Sequence, residues 1–160
     1  LFIQIKSSKL VDNGIFLKYI DFINKEVFML YEIEGSSKHF DVEELDNIIL
    51  HAIRFLSMPE HAFLTIRFSD DISVAGYCDE VDIDEGCVEI EINNDLSVND
   101  AIVTIFHEMV HCRQILEGRL VQGNPSTWDG KEYECDYANL PWEVEAYELE
   151  RKMYGTYKIA

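Results

Sequence analysis

The stretch His107-Glu108-Met109-Val110-His111 decides how this chain of 160 residues is interpreted. Its two histidines are four residues apart, so on a helix they lie one turn above each other on the same face. That spacing lets both imidazoles reach one metal ion. Glu108 follows the first histidine and can reach a water molecule on that metal. The pattern H-E-x-x-H on a helix therefore predicts two zinc ligands and a general base.

The residues around the motif predict the helix that it needs. Ser97-Val98-Asn99-Asp100 is typical of a capped helix N-terminus, and Gly118 is placed to end the helix. The apolar residues of this segment recur at helical spacing and define a core face: Ile102, Ile105, Phe106, Met109 and Leu116. The two histidines lie to one side of that face, where a cleft can reach them.

A catalytic zinc takes three protein ligands and keeps one open position. None of the five histidines follows His111, so a carboxylate is the natural third ligand. Pro141 predicts the start of a last helix that ends near Gly155, and this helix carries Glu143 and Glu145. The two acids lie about 200° apart on the helix, so only one can face the ion, and geometry leaves both open. Further candidates precede the helix: Glu132, Glu134 and Asp136.

The rest of the chain predicts one domain of mixed α and β structure. A helix is expected from the cap Asp41 to just before Pro59, and strands are expected over 62–68, 73–78 and 87–92. Residues 1–34 are apolar and aromatic and leave helix and strand open. In 87–92, apolar and acidic residues alternate, which predicts a strand with one wet face at a sheet edge.

Composition limits the partners. The net charge of −18 repels phosphate backbones, so nucleic acid and anionic membranes are not expected as partners. No apolar run approaches a membrane span, no export signal is visible, and the four cysteines form no C-x-x-C pair. We therefore expect reduced thiols and a cytoplasmic location. The same charge raises an alternative, a protein that imitates DNA and occupies a DNA-binding partner.

Residues 75–154 resemble a small zinc metallopeptidase domain of the gluzincin type, similar to SprT-like and ImmA/IrrE-like domains, many of them encoded by phages. In ImmA and related families the glutamate ligand precedes an alanine by three positions, and Glu143 with Ala146 matches that spacing. Those families often carry Asp or Asn directly after the alanine, where this chain has Tyr147. The other matching pieces are Gly76-Tyr77-Cys78, the strand from Val88 to Ile92, and the H-E-x-x-H helix.

The resemblance implies a minimal zincin-like fold of the α+β class. A small, mostly antiparallel sheet would pack on an active-site helix and a C-terminal ligand helix, with residues 1–60 adding a part of unrecognised role. One Zn²⁺ would be held by His107, His111 and Glu143, with Glu145 as the alternative ligand. Glu108 would be the general base in the hydrolysis of a peptide or protein substrate, in the host cytoplasm if the protein is phage-encoded.

Two features of the expected site stay open in the sequence. The donor that stabilises the transition state could be Tyr133, Tyr147 or Tyr154. A substrate could add as a strand along the residues of the expected edge: Val88, Ile90 and Ile92. The alternatives to a peptidase are a non-catalytic binding or regulatory protein and a hydrolase of a non-peptide amide.

Overall fold

A computed structural model describes residues 3–11, 15–22, 28–59 and 62–158, with side chains from residue 30 onward. The helices are α1 (Val42–Leu56), α2 (Val98–Leu116) and α3 (Pro141–Tyr157), and Tyr137–Asn139 forms a 3-10 turn. The strands are β1 (Ile3–Val11), β2 (Ile15–Phe22), β3 (Phe28–Glu34), β4 (Phe63–Ser69), β5 (Gly76–Asp82), β6 (Cys87–Asn93), β7 (Leu120–Val121), β8 (Thr127–Trp128) and β9 (Lys131–Glu132). In the parts of the chain so described, no helix combines the length and the apolar character needed to cross a bilayer.

The main sheet is mixed, in the order β1-β2-β3-β4-β6-β5. The β1/β2, β2/β3 and β5/β6 pairs are antiparallel, whereas β3/β4 and β4/β6 are parallel. β3 and β4 are parallel because the chain crosses over between them through α1, and parallel neighbours need a long connection. β4 and β6 are parallel because β5 lies between them in the chain and pairs on the outer side of β6. The expectation of a mostly antiparallel sheet is therefore corrected to a mixed sheet beside a small antiparallel one, β7-β8-β9.

The N-terminal segment resolves into strands. β1, β2 and β3 form a meander whose last strand pairs with β4, so this part extends the main sheet. A helical face was also open in the sequence, through Phe16, Tyr19, Ile20, Ile23, Val27 and Leu30. The first three of these lie in β2 and Leu30 lies in β3, whereas Ile23 and Val27 fall outside the described residues. Aromatic and β-branched content, which favours strands, outweighed the helical spacing here.

The position expected for β6 at a sheet edge is wrong. β6 lies between β4 and β5, and its apolar residues Val88, Ile90 and Ile92 are buried. The acidic residues on its other face predicted a solvent-exposed surface, but neighbouring strands cover them with polar partners. Arg67 of β4 donates to Glu89 at 2.6 Å, and the Tyr77 hydroxyl of β5 donates to Glu91. Alternation reveals the two faces of a strand but not its lateral neighbours. The outer strand on this side is β5.

One apolar core joins the sheet and the three helices, from Tyr31 of β3 to Met153 of α3. The described elements therefore form one small α+β domain. The helix ends follow local chemistry. Asp41 and Glu44 make a reciprocal capping box at α1, and Gly118 takes the left-handed conformation (φ 69°) directly after α2.

β5 lies unusually close to α2. A methyl group added to Gly76 would stand 2.7 Å from Thr104 Cγ2 and 3.0 Å from the Glu91 carbonyl oxygen. About two turns further along α2, the buried thiols of Cys78 and Cys112 are 3.1 Å apart. Glycine is the residue that permits such an approach of a strand to a helix.

Candidate metal centre

Two imidazoles of α2 and one carboxylate of α3 meet at a single point. His107 Nε2 and His111 Nε2 are 3.1 Å apart. Glu143 Oε2 lies 3.3 Å from His107 Nε2, and Glu143 Oε1 lies 3.4 Å from His111 Nε2. Ligand atoms at about 2.0–2.1 Å from a tetrahedral zinc lie about 3.3 Å from one another. The three groups are therefore spaced as ligands of one metal ion, and this cluster could hold one.

The hydrogen bonds of the outer ring nitrogens fix the direction of these lone pairs. His107 Nδ1 lies 2.7 Å from Glu150 Oε2, and His111 Nδ1 lies 2.8 Å from Gln114 Oε1. A carboxylate and an amide oxygen accept, so we assign the proton of each neutral ring to Nδ1. Both Nε2 lone pairs then point at the third group, a carboxylate. Three electron-pair donors facing one another need a cation between them.

Glu143 carries a buried oxygen that the protein leaves unsatisfied. Its side chain is nearly inaccessible, and Oε2 is the buried side-chain oxygen that finds no hydrogen-bond partner among the described residues. A buried, unpaired carboxylate oxygen is costly unless a ligand completes its environment. A metal ion bound by His107 and His111 would complete that environment, so the residues present fit a metal ion.

The pKa values of the group reflect mutual attraction. Burial opposes the charge on His107, but the contacts with Glu143 and Glu150 outweigh it and raise the pKa of His107 to about 9. Burial likewise opposes the charge on Glu143, but the close approach of His107, His111 and Tyr137 outweighs burial and lowers the pKa of Glu143 to about 2. A proton shared by these groups can take the place of a cation, and binding of a metal ion would displace it.

Glu145 lies on the other side of α3 and does not join the cluster. It accepts from Gln114 Nε2 at 2.8 Å and from Arg119 at 3.0 Å. The open choice between the two acids is thereby resolved in favour of Glu143 as the member of the group. Glu145 reaches the site indirectly, because the Gln114 that it holds also contacts His111.

Glu108 lies beside the ligands in a closed environment. Its side chain is 6% exposed, and burial raises its pKa despite the two neighbouring histidines, which act in the opposite direction. A carboxyl group whose pKa is shifted towards neutrality is suited to accept and return a proton near pH 7.

Glu108, His111 and Glu143 open into a cleft of about 360 Å³. Strand β5 forms one wall of this cleft, and the segment between β7 and β8 forms another. Tyr137, in the 3-10 turn, lines it as well. Although 63% of Tyr137 is exposed, its hydroxyl is hydrogen-bonded to Glu143. The remaining lining residues are Gly76, Tyr77, Cys78, Asp79, Leu120, Gln122, Ser126 and Trp142.

The three tyrosines singled out in the sequence do not line this cleft. Tyr154 donates to Asn99 Oδ1 at 2.9 Å, and the Tyr147 ring packs against the His107 ring with centroids 5.0 Å apart. Tyr133 is exposed. The acids offered as outside ligand candidates are exposed and do not belong to the metal cluster: Glu132, Glu134 and Asp136.

Sequence reasoning missed three supporting residues. Glu150 is seven residues after Glu143, and Gln114 is seven after His107, which puts each on the same helix face two turns away. That periodicity was a usable signal for both. The family pattern directs attention to position 147, but the acceptor for His107 is the longer Glu150 side chain. Tyr137 lies in an irregular segment, where no periodicity marks it.

No family model, curated protein or solved structure matches this chain, so the site is interpreted from its own geometry.

Proposed function

We propose that this protein is a zinc-dependent peptidase. One observation carries the proposal: three converging electron-pair donors, His107, His111 and Glu143, adjoin the buried carboxyl group of Glu108 in an open cleft. Two imidazoles and one carboxylate suit zinc rather than calcium or magnesium, which prefer oxygen ligands. A zinc ion held by these three residues would lower the pKa of a bound water molecule and polarise a carbonyl group.

Glu108 performs the proton transfers in this proposal. Its carboxylate takes the proton of the attacking water and then passes it to the nitrogen of the leaving amine. The raised pKa of Glu108, caused by burial, favours both halves of this exchange near neutral pH. The Tyr137 hydroxyl lies beside Glu143. In this proposal it turns from that carboxylate and donates to the carbonyl oxygen of the substrate as that oxygen gains negative charge.

The peptide substrate lies along β5 instead of β6. β5 is the outer strand of the described sheet, and its backbone from Gly76 to Asp79 lines the cleft with Glu108 and His111. An extended peptide can add to such an edge through main-chain hydrogen bonds. The carbonyl of the substrate is then held beside the metal ligands.

Metal analysis with matched variants tests the proposal. We expect about one zinc per chain in wild-type protein, its loss in His107→Ala and Glu143→Gln, and its retention in Glu108→Gln. Glu145→Gln is the matched control for Glu143→Gln and keeps its zinc. A mixture of unstructured peptides, analysed by mass spectrometry, is cleaved by the wild type and not by Glu108→Gln.

The outcomes separate the alternatives. Wild-type protein that binds no zinc after loading would overturn the metal site itself. A zinc-loaded protein that cleaves no peptide in the mixture but hydrolyses simple amides would replace the peptidase with a non-peptide amidase. If it hydrolyses neither, the binding or regulatory alternative takes precedence.

A further inference from the structure

The Gln122 side chain occupies the outer edge of β5. Its Nε2 donates to the Cys78 carbonyl oxygen at 2.7 Å, and its Oε1 accepts from the Glu80 amide at 3.0 Å. These are main-chain groups of the strand that lines the cleft. The side-chain amide of glutamine has the same donor and acceptor as a peptide group, so Gln122 makes the hydrogen bonds that an added strand would make.

The alternation of the strand shows which groups remain for a bound peptide. The Ala75 carbonyl accepts from Asn93 of β6, so the main-chain groups of odd-numbered residues in this part of β5 face inward to the sheet. Those of Gly76, Cys78 and Glu80 face outward. With Gln122 in place, the outward groups left beside the metal cluster belong to Gly76 and to the amide of Cys78.

We propose that Gln122 is a specificity-determining residue that closes the edge of β5 beyond Cys78. A bound peptide pairs with Gly76 and Cys78 over about two residues, and its chain then ends or turns away from the strand at Gln122. The preferred substrate is therefore a peptide with a chain end or a turn close to the cleaved bond on that side. This inference rests on the proposed peptidase function.

The segment that carries Gln122 is built to hold it there. Leu120, two residues before, is buried and pairs with Trp128 of β8. Arg119 packs over the Trp128 ring at 4.2 Å. On the other side, the Ser126 hydroxyl closes a tight loop with both main-chain groups of Gly123, at 3.2 and 3.1 Å. The amide is thus anchored from both sides.

Length series of metal-chelating peptides test the inference. The probes are alanine peptide hydroxamates of one to four residues, in one series with the peptide N-terminal to the chelating group and in the other C-terminal to it. Binding to the zinc-loaded full chain is measured by calorimetry. In wild type, affinity in one series stops rising after about two residues. In Gln122→Ala, the four-residue probe of that series binds at least about tenfold more tightly, and the one-residue probe is unchanged.

Two further variants sharpen the comparison. Gln122→Glu keeps the length and the acceptor of the side chain but cannot donate to the Cys78 carbonyl. Its affinity for the four-residue probe therefore lies between those of wild type and Gln122→Ala. Val121→Ala changes the exposed neighbour of Gln122 and behaves as wild type. Amide exchange at Glu80, followed by NMR, is faster in Gln122→Ala than in wild type because its acceptor is gone.

Equal length dependence in wild type and Gln122→Ala, or unchanged exchange at Glu80, would overturn the role of Gln122 and leave the metal site untouched. Failure of acetohydroxamate, the shortest chelator, to bind zinc-loaded wild type would instead overturn the proposed function on which this inference rests.

Discussion

Single residues outside the ligand set hold the imidazoles in position. Glu150 accepts from His107 Nδ1 at 2.7 Å and is itself buried, so it fixes both the tautomer and the ring orientation. We expect Glu150→Ala to weaken zinc affinity about 10- to 100-fold, with a smaller loss in Glu150→Gln, which keeps an acceptor. Competition with a chromophoric chelator measures the affinity.

The control for Glu150 is on the same helix. Glu148→Gln removes an exposed acid that pairs with Lys152 at 2.5 Å, away from the metal cluster, and keeps wild-type affinity. Equal zinc affinity in Glu150→Ala and wild type would contradict the supporting role of Glu150.

A substitution at Tyr137 tests metal binding and turnover separately. We expect Tyr137→Phe to retain zinc, because the ligands are unchanged, and to lower kcat about 10²- to 10³-fold, because a donor to the developing charge is lost. Tyr133→Phe is the matched control, since Tyr133 is exposed and does not line the cleft. A kcat in Tyr137→Phe equal to that of wild type would assign Tyr137 to packing alone.

At the scale of single residues, the sequence predicted those functional side chains that recur at helical spacing. The spacing of His107 and His111 predicted two ligands on one face, and the structure brings them together with Glu143. The helical wheel could not choose between Glu143 and Glu145, because that choice depends on how α3 is rotated against α2. Tyr137 and Gln122 lie outside regular helices and strands, and their positions depend on tertiary packing that no local pattern records.

At the level of elements, the metal cluster depends on the contact between α2 and α3. Ala146 is completely buried one turn after Glu143, where the two helices meet. We expect Ala146→Leu to cost about 1–3 kcal/mol of unfolding free energy through overpacking, and to weaken zinc affinity by displacing Glu143. Urea unfolding and zinc titration measure the two effects.

A substitution to leucine on the exposed face of α3 serves as the control for Ala146→Leu. Val144 is half exposed on α3, so Val144→Leu leaves both the stability and the zinc affinity close to wild type. An Ala146→Leu protein with wild-type zinc affinity would show that the helix contact does not set the position of Glu143.

The helix boundaries were largely predictable, whereas the sheet order and the bounds of β5 were not, since a strand was expected over 73–78 and lies at Gly76–Asp82. Caps and prolines located the three helices to within a few residues, because these signals are local. The place of β6 between β4 and β5 was missed, because its acids are covered by Arg67 and Tyr77 from neighbouring strands. Which strands are neighbours is a long-range property of the chain.

For the molecule as a whole, a metal bound between α2 and α3 would tie together distant parts of the chain. A ligand that binds only the folded state stabilises it by about 2.7 kcal/mol at a free concentration 100 times its Kd. For a domain of this size we expect chelation of zinc to lower Tm by about 5–10 °C. Scanning calorimetry with and without EDTA measures the shift.

His107→Ala is the control for the effect of chelation, because it lacks a ligand and its Tm is insensitive to EDTA. A wild-type Tm that is the same with and without chelator, after zinc loading, would show that the cluster binds no metal in the folded protein.

The close approach of Gly76 to Thr104 has a consequence for selectivity. With no side chain between strand and helix, the clearance from the β5 backbone to the metal-binding imidazoles is a fixed dimension of the scaffold. On the proposed function, the main chain of a peptide docked along β5 must therefore fit within this clearance. Such a fixed clearance selects for an extended main chain over the short stretch that pairs with Gly76 and Cys78, and it is tolerant of side-chain identity, so chain ends and turns of many different sequences would fit it.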